Sequence, residues 1–195
     1  PLEPGPKEGL ALNNGTGACT GIAANSVARA LDLTALTIGI HALYAQAMLA
    51  TDQSFAPFIH AMKPHAGQVW TAEQMAALLT GSKVIRSEAG GERGHRIGKL
   101  VQDRYSLRCM PQVHGATRDA LSFARGVLER EINSVTDNPI VFPKGGDVLS
   151  GGNFHGQPLG LGLDYLAIAM TELASISERR IERLTNPEYG ELPPF

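Results

Sequence analysis

From about Ala18 to Ala50 the chain reads ACTGIAANSVARALDLTALTIGIHALYAQAMLA, a run whose only formal charges are Arg29 and Asp32. No other feature limits the fold as strongly. A helix this apolar on every side must be buried, because a surface helix keeps one polar face. A membrane span is the rival reading, since about eighteen mostly apolar residues suffice to raise it. Asn25, Arg29, Asp32, His41 and Gln46 spread polar groups along the whole run, however, and lipid penalises such groups. The run therefore reads as the central helix of a large bundle, and no membrane partner is expected.

A chain of 195 residues can bury roughly 70% of the surface it exposes when unfolded. With 43% apolar residues, 18% charged residues and a net charge of −2, it has no bias toward polyanions, so nucleic acid is not an expected partner. Cys19 and Cys109 form neither a CxxC pair nor a cysteine framework, which suits free thiols in a reducing, cytoplasmic compartment. The start PLEPGPKEG is charged and proline-rich, unlike a signal peptide. A first residue that is not methionine and a close on ELPPF read as the ends of a piece of something longer. Residues 1–195 are accordingly expected to form a single helical-bundle piece.

Breakers divide the rest of the chain. SFAPFIHAMKPHAGQ reads as loop, followed by a short helix TAEQMAALL with Thr71 as its N-cap. The glycine-rich, charged stretch 87–98 reads as a mobile surface loop. Pro111 places a boundary near residue 110 by holding Met110 extended. Beyond it Val113, Ala116, Ala120, Ala124 and Val127, widened by Leu121 and Leu128, recur at helical spacing. TDNP, Thr136 to Pro139, breaks that helix, and a β-prone IVF and the turn PKGGD follow. A last helix from about Pro158 to Leu184 is apolar first and charged later, so its early half belongs in a core and its late half near solvent. No stretch alternates with period two for long. The fold class is mainly α.

Six histidines raise the question of a metal, but no carboxylate or thiolate cluster converges with them, and none is expected. NNGTGACTG lacks the flanking strands of a nucleotide-binding loop and reads as a tight turn entering a helix. Two segments carry more chemistry. In LSGGNFHGQP, glycines, Asn153, Phe154, His155 and Gln157 precede an apolar helix, whose N-terminus suits an anionic or polar ligand, with a structural cap as the alternative. In QDRYSLR, Gln102, Tyr105 and Arg108 recur three apart, so one helical or 3₁₀ turn lets an amide, a phenol and a guanidinium meet one ligand. Arginine grips a carboxylate through two parallel charge-assisted hydrogen bonds, which lysine cannot reproduce. The alternative for this segment is a surface salt-bridge network with Asp103.

KEGLALNNGTGA, PHAGQ, VQDRYSLRCMPQVHGA, NSVTDNPIVF and SGGNFHGQPLGLGLDYLAIAMTELASISERRIERL together resemble the histidine and aromatic amino-acid ammonia-lyases, in order and over nearly the whole chain. YSLRCMPQVHGA with NFHGQP looks closest to the histidine branch. The resemblance implies the long-helix bundle core of the ammonia-lyase (fumarase/aspartase-like) fold, a homotetramer, and active sites assembled from three subunits. It implies elimination of ammonia from L-histidine to give urocanate, with a 4-methylideneimidazol-5-one as the electrophile. By motif, Asn14 would contact that electrophile and the substrate amine. Gln102 and Tyr105 would line the site, Arg108 would bind the substrate carboxylate, and Phe154 would pack on the ring or the electrophile. Tyr105 fits a supporting role, because a phenol with a reference pKa of about 10 needs strong tuning to act as a base, and the family's usual base is a different, upstream tyrosine.

The departures matter equally. The family forms its electrophile from an Ala-Ser-Gly tripeptide upstream of KEGLAL, and none occurs in this chain. The chain alone is thus expected to be inactive, with other segments of the same enzyme as possible partners. Gly17 stands where histidine ammonia-lyases usually carry Gln, Asn13 where an apolar residue is usual, and Arg104 where a small residue or Pro is more common. Phenylalanine or tyrosine ammonia-lyase, an aminomutase, and a non-catalytic assembly module of the same fold are the alternatives.

Overall fold

The structure of the chain, a computed structural model, describes residues 3–86, 102–189 and 193. The loop expected over 87–98 lies outside them. In chain order the elements are α1 (Glu8–Asn13), α2 (Gly17–Ala47), a 3₁₀ turn (Gln53–Phe55), α3 (Pro57–Ala61), α4 (Ala66–Leu79), α5 (Tyr105–Arg108), α6 (Met110–Ile132), β1 (Ile140–Phe142), β2 (Asp147–Leu149) and α7 (Gln157–Thr185). The mainly α class read from the sequence holds. The chain divides into two compact units, Pro1–Arg29 with Leu121–Ala167, and Ala30–Ala120 with Ile168–Phe195.

In the first unit the buried apolar residues are Ala23 and Val27 of α2, Leu121, Ala124, Val127 and Leu128 of α6, and Leu159 and Leu166 of α7. Phe123 and Tyr165 meet edge to face at 5.9 Å. Strands β1 and β2 form an antiparallel hairpin that sets Ile140 opposite Leu149 and Phe142 opposite Asp147. The sequence marks IVF and the turn; the return strand DVL is too short to announce itself.

The second unit has a core of Ile38, Ala42, Tyr44, Ala45, Ala50, Phe55, Met75, Leu79, Leu107 and Met110. SFAPFIHAM, read as loop, forms the 3₁₀ turn and α3, with Pro57 in the first turn where its missing N–H is harmless. Helix α4 starts earlier than expected, and Thr71 is buried in its interior instead of capping it. The cap is tertiary: the Gly67 N–H donates to Asp119 Oδ1 of α6 at 2.8 Å, so no local Ser, Thr or Asp is needed. The boundary expected before Pro111 is present, with Met110 the first helical residue and not an extended one.

Burial on the long helices departs from the apolar reading. On α2 one stripe is buried, while Ile22, Leu33, Leu36, Ile40 and Leu43 are exposed. On α6, Ala120, Leu121, Ala124, Val127 and Leu128 of the expected stripe are buried, whereas Ala116 is exposed and Val113 half-buried, and Met110, His114 and Thr117 extend the buried stripe instead. On α7, Leu161, Tyr165 and Ile168 of the apolar early half are exposed, whereas Arg180 in the charged half is buried. The stretches Glu8–Ala47 and Gln157–Thr185 are long and apolar enough to cross a membrane, with mean hydropathies of 1.2 and 1.4. Both also carry acidic residues within their length, Asp32 among them in the first and Asp164, Glu172, Glu178 and Glu182 in the second, which a bilayer core disfavours.

Candidate active site

Helix α5 is a single turn, with Arg104 in extended conformation as its N-cap and the N–H groups of Leu107 and Arg108 donating to the Arg104 carbonyl at 3.0 and 2.9 Å. It brings together the three polar side chains picked out by spacing. Arg108 Nη1 donates to Gln102 Oε1 at 2.8 Å, and the guanidinium lies 4.7 Å from the centroid of the Tyr105 ring. Stacking on the ring orients a planar cation while leaving its edge available. Tyr105 is 71% exposed, and Arg108 Nε has no hydrogen-bond partner among the described residues. Asp103 makes no ion pair with this turn among the described residues, and its Oδ2 accepts from Thr51 N at 2.8 Å and Thr51 Oγ1 at 3.0 Å. The salt-bridge alternative is therefore not what this turn builds.

Buried polar groups lie behind the turn. Arg180 Nε donates to the Ser106 carbonyl at 3.1 Å, and Arg180 Nη2 meets His114 Nε2 at 3.0 Å. The Ser106 hydroxyl lies 3.3 Å from the Tyr44 hydroxyl. His41 sits against His114 with ring centroids 6.1 Å apart. Burial, reinforced by the Arg180 charge, lowers the His114 pKa to about 3. Burial, Arg180 and His114 hold His41 well below the usual imidazole range; an approach of the Leu107 backbone opposes this but falls short of hydrogen-bond geometry. Burial lowers Arg180 to about 10, which leaves it charged at neutral pH.

The first unit holds the other two candidates. Asn14 Nδ2 donates to Asp137 Oδ1 at 3.3 Å, and Lys7 Nζ donates to Asp137 Oδ2 and to the Pro139 carbonyl. The hydrogen bond from Lys7 is the main reason that the Asp137 pKa lies below the ordinary carboxylate value. Gly15, at φ +94°, is required beside Asn14, since a Cβ there would fall 2.4 Å from the Thr136 carbonyl oxygen. Thr16 Oγ1 donates to Glu131 Oε1 at 2.6 Å, fixing the entry into α2. Phe154 is 42% exposed. The His155 side chain accepts from Gln157 N at 3.2 Å, so part of the glycine-rich approach to α7 is a structural cap.

Asp137, Lys7, His114 and Arg180 were not picked out by the sequence reading. Asp137 sits in TDNP, read only as a breaker, and Arg180 in a charged run read as solvent-facing.

These features define a class first. The helical fold is that of a tyrosine aminomutase from Streptomyces globisporus, matched with a TM-score of 0.91 at 40% identity over 100% of this chain and 39% of that one. A family model for aromatic amino acid lyases matches residues 1–195, and the chain belongs to that family. It is 58% identical over 97% of its length to an aromatic ammonia-lyase from Loktanella atrilutea, covering 35% of that protein. To a histidine ammonia-lyase from Anaeromyxobacter sp. (strain K) it is 51% identical over 97% of its length, covering 36% of that relative. The chain thus spans about a third of the length of the curated relatives it matches.

Proposed function

We propose that this chain is part of an ammonia-lyase that eliminates ammonia from an aromatic α-amino acid, with L-histidine as substrate and urocanate as product. Membership of the aromatic amino acid lyase family supports the reaction class. The observation that carries the reading to the site is the Gln102–Tyr105–Arg108 turn, where the Arg108 guanidinium is held by the Gln102 amide and stacked on the exposed Tyr105 ring. Arg108 binds the substrate carboxylate through paired hydrogen bonds. Gln102 fixes the guanidinium plane, and the exposed phenol of Tyr105 supplies a hydrogen-bonding wall. Elimination breaks the Cα–N and Cβ–H bonds, forms the Cα=Cβ bond, and sends the β-proton to a base outside this chain. Holding the carboxylate fixed aligns the two breaking bonds.

The family's 4-methylideneimidazol-5-one is a neutral ring with carbonyl oxygen and imine nitrogen, and amide and phenol groups suit it. Asn14, whose Nδ2 donates to Asp137 Oδ1, would hold this group through its carboxamide. When bound, it supplies the electrophile that makes the substrate amine a leaving group. Phe154 packs on the substrate ring. Further copies of this protein are the proposed partners, a homotetramer, supported by the exposed apolar residues of α2 and α7. Free Cys19 and Cys109 support a reducing, cytoplasmic setting.

A phenylalanine- or tyrosine-directed lyase or aminomutase is the second reading, favoured by the 58% identity to an aromatic ammonia-lyase and by the tyrosine aminomutase fold match. Both are tested by incubating the full-length protein with histidine, phenylalanine and tyrosine while following ammonia and the absorbance of the unsaturated acid. Fastest turnover of histidine is expected. Arg108→Lys should lower kcat/KM by about 10- to 100-fold, since a hydrogen bond to a charged group contributes about 1.5–3 kcal/mol. Unchanged kinetics in that variant would remove Arg108 from the site, and ammonia from none of the three amino acids would sink the lyase reading.

A further inference from the structure

We propose that Arg180, anchored by His114, is a positioning residue that holds the carbonyl end of the Tyr105–Arg108 turn and thereby aims Arg108 at the substrate carboxylate. The inference rests on the carboxylate-binding role proposed for Arg108.

The turn cannot hold itself. Helix α5 breaks at Cys109, whose φ and ψ are −91° and 9°, before α6 begins at Met110. Pro111 has no N–H, so the Leu107 carbonyl lacks the donor that a continuous helix would give it. The Ser106 carbonyl takes its donor from Arg180, a residue from a distant part of the chain, at 3.1 Å. The Ser106 hydroxyl is met by Tyr44 at 3.3 Å. Ser106 is thus gripped at both backbone and side chain, between Tyr105 on one side and Leu107 and Arg108 on the other.

Arg180 is an expensive way to satisfy one carbonyl. It is 4% exposed and has no carboxylate partner among the described residues. A buried cation without a counter-ion is destabilising, and a neutral donor would satisfy the carbonyl without that penalty. A guanidinium offers what a neutral donor lacks: rigid, divergent N–H groups that bond two acceptors at a fixed angle. The second acceptor is His114 Nε2, at 3.0 Å. An arginine only donates, so His114 must accept through Nε2 and carry its proton on Nδ1. The link from α6 through His114 to Arg180 to Ser106 therefore sets the turn's orientation with two bonds and no rotatable slack. A purely structural role would loosen every ligand alike. A positioning role acts on the group that Arg108 grips.

The test uses the full-length protein, with two probes that share the substrate ring: the unsaturated acid product, which has a carboxylate and no amine, and the decarboxylated amine. Arg180→Lys keeps the charge and loses the fork. It should weaken the acid roughly tenfold and raise KM similarly, while affinity for the amine stays within about twofold, the pattern of one misaligned charged hydrogen bond. His114→Leu, which removes the anchor, should reproduce the selective loss, and His114→Gln, which keeps an acceptor, should recover most of it. This pair answers the question if Arg180→Lys does not fold. Equal weakening of acid and amine, or lowered thermal stability with both affinities intact, would overturn the positioning role. Arg108→Lys separates the two claims: loss of acid affinity there with none in Arg180→Lys and His114→Leu overturns positioning alone, and no loss in Arg108→Lys overturns the carboxylate grip and the inference built on it.

Discussion

Gly115→Ala is expected to destabilise the protein by more than about 3 kcal/mol, beyond ordinary overpacking, because the atoms it strikes belong to backbone. A Cβ at Gly115 would lie 2.4 Å from Gln68 N and 2.5 Å from Gln68 Cα, and one at Gly67 would lie 2.1 Å from the Gly115 carbonyl oxygen. No rotamer change relieves such contacts, so α4 and α6 must part. Parting them breaks the Gly67 N–H bond to Asp119 and lifts Trp70 off the Arg118 guanidinium, which stands 3.4 Å from the ring centroid. It also disturbs Gln68, whose amide meets His60 Nδ1 at 3.1 Å in the core. Gly39→Ala is the control: a Cβ there meets nothing within 4 Å, and replacing a helical glycine is worth up to about 1 kcal/mol in favour of the fold. Urea midpoints of the two variants measure the difference. A near-native midpoint for Gly115→Ala would mean that α4 and α6 do not touch backbone to backbone.

Much of the fold is legible because the helices are long and their breakers strong. Helix α2, the boundary at Pro111, the break at TDNP and the start of α7 at Gln157 all follow from local chemistry. What a hydrophobicity reading misses is a polar residue standing in a buried stripe. Leu159, Leu166, Leu173 and Arg180 recur every seven residues on α7, and all four are buried. The spacing alone would have placed Arg180 in the core, but its neighbours Glu178, Arg179 and Glu182 made the whole run look solvated. His114 and Thr117 occupy the equivalent stripe on α6, where Ala116, chosen for its apolar side chain, faces outward. Phase along a helix was thus the better guide, and residue type the worse one.

Of the candidate site, the spacing of Gln102, Tyr105 and Arg108 was enough to bring them together, because one turn decides their geometry. The support around them was not legible, since it comes from elements far away in sequence. Asp137 reaches Asn14, and Lys7 reaches Asp137, across more than half the chain. Thr71 tells the same story in the fold: its N-cap signal is genuine locally and is overridden by Asp119, a cap supplied from another helix. Tertiary satisfaction of backbone donors leaves no local mark.

Acid should destabilise this protein before its carboxylates are protonated, through His41 and His114. The pKa of each is lowered in the folded chain, His114 to about 3, while in the unfolded chain both return to the ordinary imidazole value of 6.5. Below 6.5 the unfolded chain therefore binds protons that the folded chain refuses, so stability is full above that pH and is lost as pH falls toward the folded pKa values. His114 contributes a slope of about 1.4 kcal/mol per pH unit, about 2.5 kcal/mol between pH 6 and 4, and His41 adds a loss in the same direction. Asp137, whose lowered pKa starts from 3.8, adds its loss only in stronger acid. The local reason is plain: a proton on His114 Nε2 would remove the acceptor that Arg180 uses and set a second buried cation 3.0 Å from the first. His114→Gln keeps an acceptor and cannot charge, so its stability between pH 6 and 4 should fall less steeply than that of the unaltered protein, by about 1.4 kcal/mol per pH unit. Urea denaturation at a series of pH values gives both slopes. Parallel curves would mean that His114 takes up its proton without leaving the fold, and that the Arg180 charge beside it does not hold the imidazole neutral.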